Sequence, residues 1–207
     1  MKKQEKTQLT RERILAAALA EFGTKSYDQA SINAICSESQ ISKGLLYHNF
    51  KSKDELYLYC VSLCYQKMMA YIREKESACD TAESSIQQMM AIRQSFFSES
   101  PYYSNIFFHT LLQPPKHLIP QIHAIREEFN AFYAGCFEKF IGQLTLRDGI
   151  SMQAVLEYFM VFSETYNACF KNKAEQADDL KELIDAHENK MAEMIDLMLY
   201  GVVKRPI

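Results

Sequence analysis

The stretch that decides the fold is residues 30–56, which read ASINAICSESQISKGLLYHNFKSKDEL. Two short helices joined by a tight polar turn fit this stretch, the first beginning after Ser31. The pattern indicates a helix-turn-helix motif over about residues 31–50, whose second helix enters the DNA major groove. In that helix Leu46 and Phe50 lie four residues apart, so we expect both to face inward.

The other face of the second helix carries the chemistry of DNA contact. Lys43, Leu45, Tyr47 and His48 are left to point away from the core. Lys43 supplies a positive charge, and Tyr47 and His48 supply hydrogen-bond donors for phosphate oxygens. Gly44 lets the backbone come close to DNA. The major groove admits one helix, and its base edges must meet these outward-facing side chains.

Two helix starts add further phosphate positions. Lys53 opens a fourth helix within the capping box Ser52-Lys53-Asp54-Glu55, where free amides and the helix dipole favour a phosphate. Ser31 is expected to cap the second helix and to offer the same kind of position. Residues 1–53 carry a net charge of +4, and the remainder carries −7. This division is typical of a phosphate-binding module joined to a different body.

The segment ISKGLLYHNFKSKDEL (residues 41–56) resembles the helix-turn-helix of the TetR family of bacterial transcriptional regulators. The preceding RILAAALAEFGTKSYDQASINAI (residues 13–35) and the chain length support the resemblance. It covers about residues 8–65, and the remainder is similar only in architecture. The resemblance implies that six residues contact DNA: Ser31, Ser42, Lys43, Tyr47, His48 and Lys53.

Three positions depart from the family pattern. Gln40 stands in the turn where the family usually has glycine, and a left-handed conformation without glycine costs about 1 kcal/mol. Leu45 stands where a small polar residue often faces the bases, which favours apolar contact with a thymine methyl group. Asn49 replaces a common aromatic residue. These departures leave the operator sequence open.

Composition extends the helical interpretation to all 207 residues. Only six glycines and five prolines are present, and apolar residues recur at helical spacing. We predict an all-α fold of about nine helices, with a DNA-binding domain at residues 8–55 and an effector-binding and dimerisation domain at residues 56–207. The first helix should begin after Thr10. Later helices are predicted at 82–97, 101–112, 120–142, 151–172 and 177–200.

Several classes of protein are excluded. Hydrophobic residues make up 48% and charged residues 24%, which argues against a disordered chain. The longest apolar stretches fall far short of the roughly 18 residues of a membrane span, and the start MKKQEKTQLT lacks the apolar segment of a secretory signal. We expect a cytoplasmic protein. Catalytic and phosphate-loop motifs are absent, so we expect no enzyme, no cofactor and no metal.

Aromatic residues are dense after position 80. Such density is typical of an apolar pocket between helices, although ordinary core packing is the better explanation for any single residue. The resemblance implies a ligand pocket in this part of the chain, and the aromatic residues favour an apolar or aromatic effector. Four residues are candidates for ligand binding: His109, Tyr133, Phe162 and Tyr166.

The last two helices resemble an assembly surface. One apolar stripe contains Val155, Phe159, Phe162, Tyr166 and Cys169. The other contains Leu180, Leu183, Ile184, His187, Met191, Met194, Ile195 and Met198. Two copies could pair there as a four-helix bundle and match a palindromic operator, and the resemblance also implies a homodimer through about residues 151–172 and 177–200. Alternatively, both stripes pack within one chain.

Together these features predict a transcriptional regulator that binds double-stranded DNA, a repressor released from a palindromic operator by a small-molecule effector. One alternative is a redox- or metal-responsive regulator that uses Cys60 and Cys64, which lie one helical turn apart. Burial in the core is the more ordinary role of such cysteines. A second alternative is a helical enzyme that binds a small molecule.

Overall fold

The computed structural model describes residues 3–77, 86–174 and 180–202. Within these ranges the chain forms nine α-helices and one 3-10 turn without any strand, so the all-α prediction is confirmed. No helix in the described ranges is both long and apolar enough to cross a bilayer. The elements are α1 (Lys3–Thr24), α2 (Ile32–Ser39), α3 (Lys43–Asn49), α4 (Lys53–Ser77), α5 (Ile86–Glu99), α6 (Pro101–Leu112), the 3-10 turn (Lys116–Leu118), α7 (Ile119–Ile141), α8 (Met152–Ala174) and α9 (Leu180–Val202).

The helix boundaries largely follow the sequence signals, with one clear exception. The predicted start of α1 after Thr10 is wrong, because the helix already begins at Lys3. The added turns are rich in lysine, glutamine and glutamate, which favour helix, and the Gln8 side chain donates to Glu12 at 2.9 Å. Pro101 begins α6 where the sequence predicted it. The predicted helical residues 82–85 and 177–179 lie outside the described ranges.

Helices α1 to α3 form the head of the molecule around a small apolar core. Ile14 and Phe22 of α1, Leu46 of α3 and Phe50 just beyond it belong to the same core cluster, and all four are fully buried. Burial of one such side chain contributes about 1.5–3 kcal/mol. This core fixes which face of α3 points outward.

Helices α4 to α9 form the body, and α4 joins it to the head. Its inner face is fully buried at Cys60, Cys64 and Met68. The helix packs against α1 of the head and against α5, α6 and α7 of the body. The domain boundary predicted between residues 55 and 56 therefore falls within the first turn of a continuous helix.

Candidate nucleic-acid interface

Helix α3 presents the face that the sequence predicted. Leu46 is completely buried, whereas Leu45 is 40% and Tyr47 45% exposed. Both side chains are therefore accessible to a partner molecule. The exposed positions of the outer face are Lys43, Gly44, Leu45, Tyr47 and His48.

The turn between α2 and α3 contains a left-handed residue. Gln40 has φ 53° and ψ 45°, which confirms the expectation for this position. The backbone N–H of Ile41 donates to the carbonyl of Cys36 at 3.0 Å and closes the end of α2. This arrangement is common at helix ends, where glycine usually takes the left-handed place.

Serine hydroxyls cap two of the helices. The Ser42 hydroxyl accepts a hydrogen bond from the Leu45 N–H at 3.2 Å, and the Ser52 hydroxyl accepts one from the Glu55 N–H at 3.0 Å. The Glu55 carboxylate accepts from the Lys51 N–H at 2.5 Å. The capping box predicted at the start of α4 therefore forms, except that the Glu55 carboxylate accepts from the N–H of Lys51 instead of that of Ser52.

Ser31 behaves differently from the expected cap. It occupies the N-cap position of α2, but its side chain makes no capping hydrogen bond, so the predicted hydroxyl cap is wrong. Its backbone N–H instead donates to Glu21 of α1 at 2.8 Å. Burial alone would raise the pKa of Glu21, but hydrogen bonds from Lys25 and Ser31 outweigh it and lower that pKa. A charged carboxylate therefore stands at the positive end of α2.

Two arginines of α1 bind the C-terminal ends of α2 and α3, and the sequence analysis missed both. Arg13 donates to the carbonyl of Ser39 at 2.5 Å, at the end of α2. Arg11 donates to the carbonyl of Asn49 at 3.4 Å, at the end of α3, and its guanidinium lies 4.4 Å from the centroid of the Phe50 ring. Cations at helix C-termini complement the helix dipole. The segment T-R-E-R at positions 10–13, which contains both arginines, was the sequence signal that could have indicated these contacts.

Lys53 lies against an aromatic ring at the start of α4. Its ammonium is 4.4 Å from the centroid of Tyr27, and the Tyr27 hydroxyl donates to Asp54. Asp54 also lies 3.4 Å from His117 of the body. The hydrogen bond from Tyr27 is the main cause of the lowered pKa of Asp54. Lys53 is thus partly buried and held at the helix start.

The end of α1 also touches α6 of the body very closely. A Cβ atom added to Gly23 would lie 2.6 Å from Cβ and 2.7 Å from Cα of Tyr102, so only glycine fits without a shift. The Asn105 side chain donates to the carbonyl of Gly23 at 2.6 Å. The head is therefore fastened to α6 by backbone packing and a hydrogen bond.

The four candidate ligand residues are spread through the packed body. Tyr133 stacks near Phe129, with ring centroids 5.7 Å apart, and the buried Tyr166 donates its hydroxyl to the carbonyl of His187 at 2.7 Å. Phe162 is partly buried beside Tyr166. His109 is partly buried on α6, and burial lowers its pKa. The structure does not bring the four together in either cleft described below.

A buried polar network crosses the body and has no counterpart in the sequence predictions. Arg93 of α5 and Glu188 of α9, each 5% exposed, form two hydrogen bonds of 2.8 Å. His187 places one ring nitrogen 3.1 Å from Glu188 and the other 2.9 Å from the Asn167 side chain. The Tyr133 ring lies 5.8 Å from the Arg93 guanidinium. Two of the four candidates, Tyr133 and Tyr166, therefore adjoin this network.

Two clefts adjoin this network, since Glu188 lines one of them and Asn167 lines the other. The α5–α6–α9 cleft has a volume of about 560 Å³ and includes Asn105, Lys181 and Glu188 in its lining. The α6–α7–α8 cleft has a volume of about 470 Å³ and includes Arg126 and Asn167. Both volumes fall within the range of small-molecule sites, but polar side chains predominate in their linings.

The cysteines on α4 give no support to a redox or metal sensor. Cys60 and Cys64 are completely buried. Burial raises the pKa of Cys60 to about 12 and raises that of Cys64 as well. Both are therefore neutral thiols, whereas reactive and metal-binding cysteines are thiolates. In the described ranges, no group of three or more histidine, cysteine or acidic residues could hold a metal ion. Cys79 lies outside those ranges.

The two predicted assembly stripes are mostly internal, which corrects the surface assigned to dimerisation. Cys169 is exposed, and Phe162, Leu180 and Met194 are only partly buried. The large hydrophobic side chains that are exposed on these helices lie elsewhere, at Tyr158 (54% exposed), Val161 (62%) and Leu197 (65%). The stripe residues that pack within the chain are Val155, Phe159, Tyr166, Leu183, Ile184, His187, Met191, Ile195 and Met198.

Comparison with known proteins finds a family match that covers most of the head. Residues 14–60 match the family described as bacterial regulatory proteins, tetR family. The HTH-type transcriptional regulator UidR of Escherichia coli K12 is 28% identical over 111 residues, which cover 54% of this chain. The match spans only 57% of that relative's length. These proteins are named as regulators, in agreement with the expectation that the chain is not an enzyme.

The fold as a whole resembles solved structures. A TetR-family regulator of Mesorhizobium loti superposes with a TM-score of 0.63 at 17% identity and covers 96% of this chain and 98% of its own. FadR of Bacillus subtilis, solved in complex with stearoyl-CoA, superposes with a TM-score of 0.60 at 15% identity and covers 86% and 96%. At such low identity the likeness concerns the fold alone.

Proposed function

We propose that the chain is a DNA-binding transcriptional regulator of the TetR family, a cytoplasmic repressor that a small molecule releases from a palindromic operator. The observation that carries the proposal is the orientation of α3, whose outer face exposes Lys43, Leu45, Tyr47 and His48 while Leu46 anchors the inner face. A helix held in this way can enter the major groove without unfolding its own core.

The contact residues divide into two groups in this proposal. Leu45 meets a base edge through a thymine methyl group. Gly44 has no side chain and lies at the exposed start of α3, so it lets the backbone come close. Lys43 is proposed to contact both a base edge and a phosphate, so its substitution should also alter the preference for DNA sequence. Phosphate oxygens are contacted by side chains that are basic or carry a donor: Ser31, Ser42, Lys43, Tyr47, His48 and Lys53.

We propose that two copies pair through the outer faces of α8 and α9. The support is the exposed apolar side chains of Tyr158, Val161 and Leu197, since isolated chains rarely leave several such groups open on adjacent helices. A two-fold dimer presents two α3 helices to half-sites about 34–36 Å apart. This spacing suits a palindromic operator.

Helix α6 is the proposed link between ligand and DNA. It lines both clefts of the body, and through Tyr102 and Asn105 it also holds Gly23 at the end of α1. A ligand that shifts α6 therefore shifts the head and the distance between the two α3 helices. Typical coupling of about 1–3 kcal/mol would weaken operator binding roughly five- to 150-fold. The sequence favours an apolar or aromatic effector.

The test is selection of bound duplexes from a random DNA pool by the purified chain. If the pool becomes enriched in a palindrome, the proposal is supported. If the folded protein enriches no sequence at all, the proposal is contradicted. Lys53→Ala should weaken binding to every duplex and reduce the salt slope by about 1, and Leu45→Ala should change the enriched sequence.

Lys139→Ala is the matched control because Lys139 is an exposed lysine of the body. It should leave both the affinity for DNA and the salt slope unchanged. An unchanged salt slope in Lys53→Ala would overturn the phosphate assignment of Lys53.

A further inference from the structure

Arg126 of α7 is a partly buried cation that forms no ion pair with any residue that the structure describes. Its Nε atom is buried and has no hydrogen-bond partner among the residues that the structure describes. Glu127 and Glu164 line the same cleft, but neither forms an ion pair with the guanidinium. Arg126 also approaches the interior: burial raises the pKa of Tyr65 to about 12, and the Arg126 charge opposes that rise.

The contrast with Arg93 shows how unusual this is. Both arginines lie in the body, but Arg93 is held by two hydrogen bonds to Glu188. A charge taken out of water is costly unless it is paired and hydrogen-bonded. The buried Nε–H group of Arg126 therefore bears a desolvation cost in the free chain that a hydrogen-bond acceptor on an anionic partner would reduce.

The α6–α7–α8 cleft around Arg126 has the volume and the hydrogen-bond donors that are needed to bind such an anion. Its volume is about 470 Å³, enough for a small organic molecule. Asn130, Asn167 and Lys171 add polar groups near Arg126, and Leu111 and Ala168 add apolar surface. Arginine binds planar carboxylates with two parallel hydrogen bonds.

We infer that the α6–α7–α8 cleft binds a small organic carboxylate, with Arg126 as its counter-charge. This inference rests on the proposed function and names the chemical class of its effector. Binding would also reach the buried network, since Asn167 lines the cleft and contacts His187 at 2.9 Å. The exposed side chains proposed for the dimer face, Tyr158, Val161 and Leu197, are not among the residues that line the cleft.

Thermal unfolding and titration calorimetry with matched probes test the inference. The probes are sodium octanoate and sodium benzoate, with octanamide and benzamide as uncharged counterparts of nearly equal shape. Each acid should stabilise the wild-type chain more than its amide. Arg126→Gln should abolish this preference and weaken binding of the preferred acid roughly ten- to hundredfold, as expected for lost charge-assisted hydrogen bonds.

Two further variants serve as controls for the Arg126→Gln experiment. Arg147→Gln removes an exposed arginine and should leave the preference intact, and Arg126→Lys should retain the preference at reduced affinity. Because it removes an unpaired charge, Arg126→Gln should not lower the melting temperature of the free chain.

The inference is overturned if acids and amides stabilise the wild type equally, or if Arg126→Gln keeps the preference. Greater stabilisation by inorganic phosphate than by either acid would likewise exclude a carboxylate site. DNA selection without any probe is measured in parallel. Its failure would refute the proposed function and leave the carboxylate site standing.

Discussion

The head and the body of this molecule place their charged groups in opposite ways. In the head, Arg11 and Arg13 lie near the surface and donate to backbone carbonyls at the ends of α3 and α2. In the body, Arg93 is in the core and pairs with a buried carboxylate. The head thus uses charge to orient two short helices, whereas the body uses it to join α5 to α9.

This difference explains why one region is easier to interpret from sequence. Contacts within the head depend on a compact motif, in which one outer helix face is free for DNA. The polar groups of the body are mostly committed to each other, as Tyr166 is to His187. A functional group in the body is therefore better sought where a polar atom lacks a partner than where aromatic residues are dense.

The largest expected effect is the loss of the buried ion pair. Arg93→Ala should destabilise the chain by about 3–5 kcal/mol, because Glu188 is left charged and unpaired in the core. Arg93→Met combined with Glu188→Leu should cost much less, since both charges are removed. Urea denaturation measures both, and equal losses would show that packing rather than charge dominates. Arg11→Ala in the head should cost only about 1 kcal/mol.

The next effect compares two adjacent leucines of α3. Leu46→Ala should cost about 2–5 kcal/mol because it leaves a cavity in the core of the head. Leu45→Ala should change stability by no more than about 0.5 kcal/mol, since this side chain is exposed. Chemical denaturation of the two variants checks the orientation of α3. Similar losses from both would contradict it.

Acidification should weaken the body through His187. Burial lowers the pKa of His187 below its usual 6.5, so the unfolded chain takes up a proton that the folded chain does not. This contribution to stability is fully present above about pH 6.5 and is lost as the pH falls through the lowered pKa. Each unit of lowering corresponds to about 1.4 kcal/mol.

The measurement is the free energy of unfolding between pH 7 and pH 5, roughly the range in which histidine titrates. His187→Gln should make this dependence shallower. His48→Gln, a matched change on the exposed face of α3, should leave it as in the wild type. A steep dependence retained in His187→Gln would assign the effect to other groups.

A smaller effect separates two buried tyrosines of α4. The Tyr65 hydroxyl lies 3.0 Å from the Thr110 hydroxyl, so Tyr65→Phe should cost about 1 kcal/mol. The buried Tyr57 hydroxyl has no partner among the described residues, so Tyr57→Phe should be neutral or slightly stabilising. Melting temperatures of the pair test this order, and a reversal would show that Tyr57 is hydrogen-bonded in solution.

The smallest effect is a gain in the turn of the head. Gln40→Gly should stabilise the chain by up to about 1 kcal/mol, because glycine adopts the left-handed conformation without strain. Ser37→Gly, an exposed change within α2, should instead destabilise it by a few tenths to about 1 kcal/mol. Differential scanning calorimetry of both variants shows whether backbone conformation decides the sign.

Sequence reasoning succeeded where the interactions are local. The left-handed Gln40, the inward Leu46 and the start of α6 at Pro101 all follow from residues within one or two helical turns. The pairing of Arg93 with Glu188 spans 95 positions and depends on how α5 and α9 pack, which no local pattern encodes. For the same reason the internal and outward faces of α8 and α9 were confused, because both carry apolar residues at helical spacing.

The exposed position of Cys169 makes it a site for selective chemical labelling. Its thiol is exposed on α8, whereas Cys36, Cys60 and Cys64 are buried and Cys136 is only partly accessible. A maleimide dye should therefore react first at Cys169 among the described cysteines. Because this thiol lies on the helix through which two copies are proposed to pair, its labelling rate at increasing protein concentration would report self-association without any DNA or ligand.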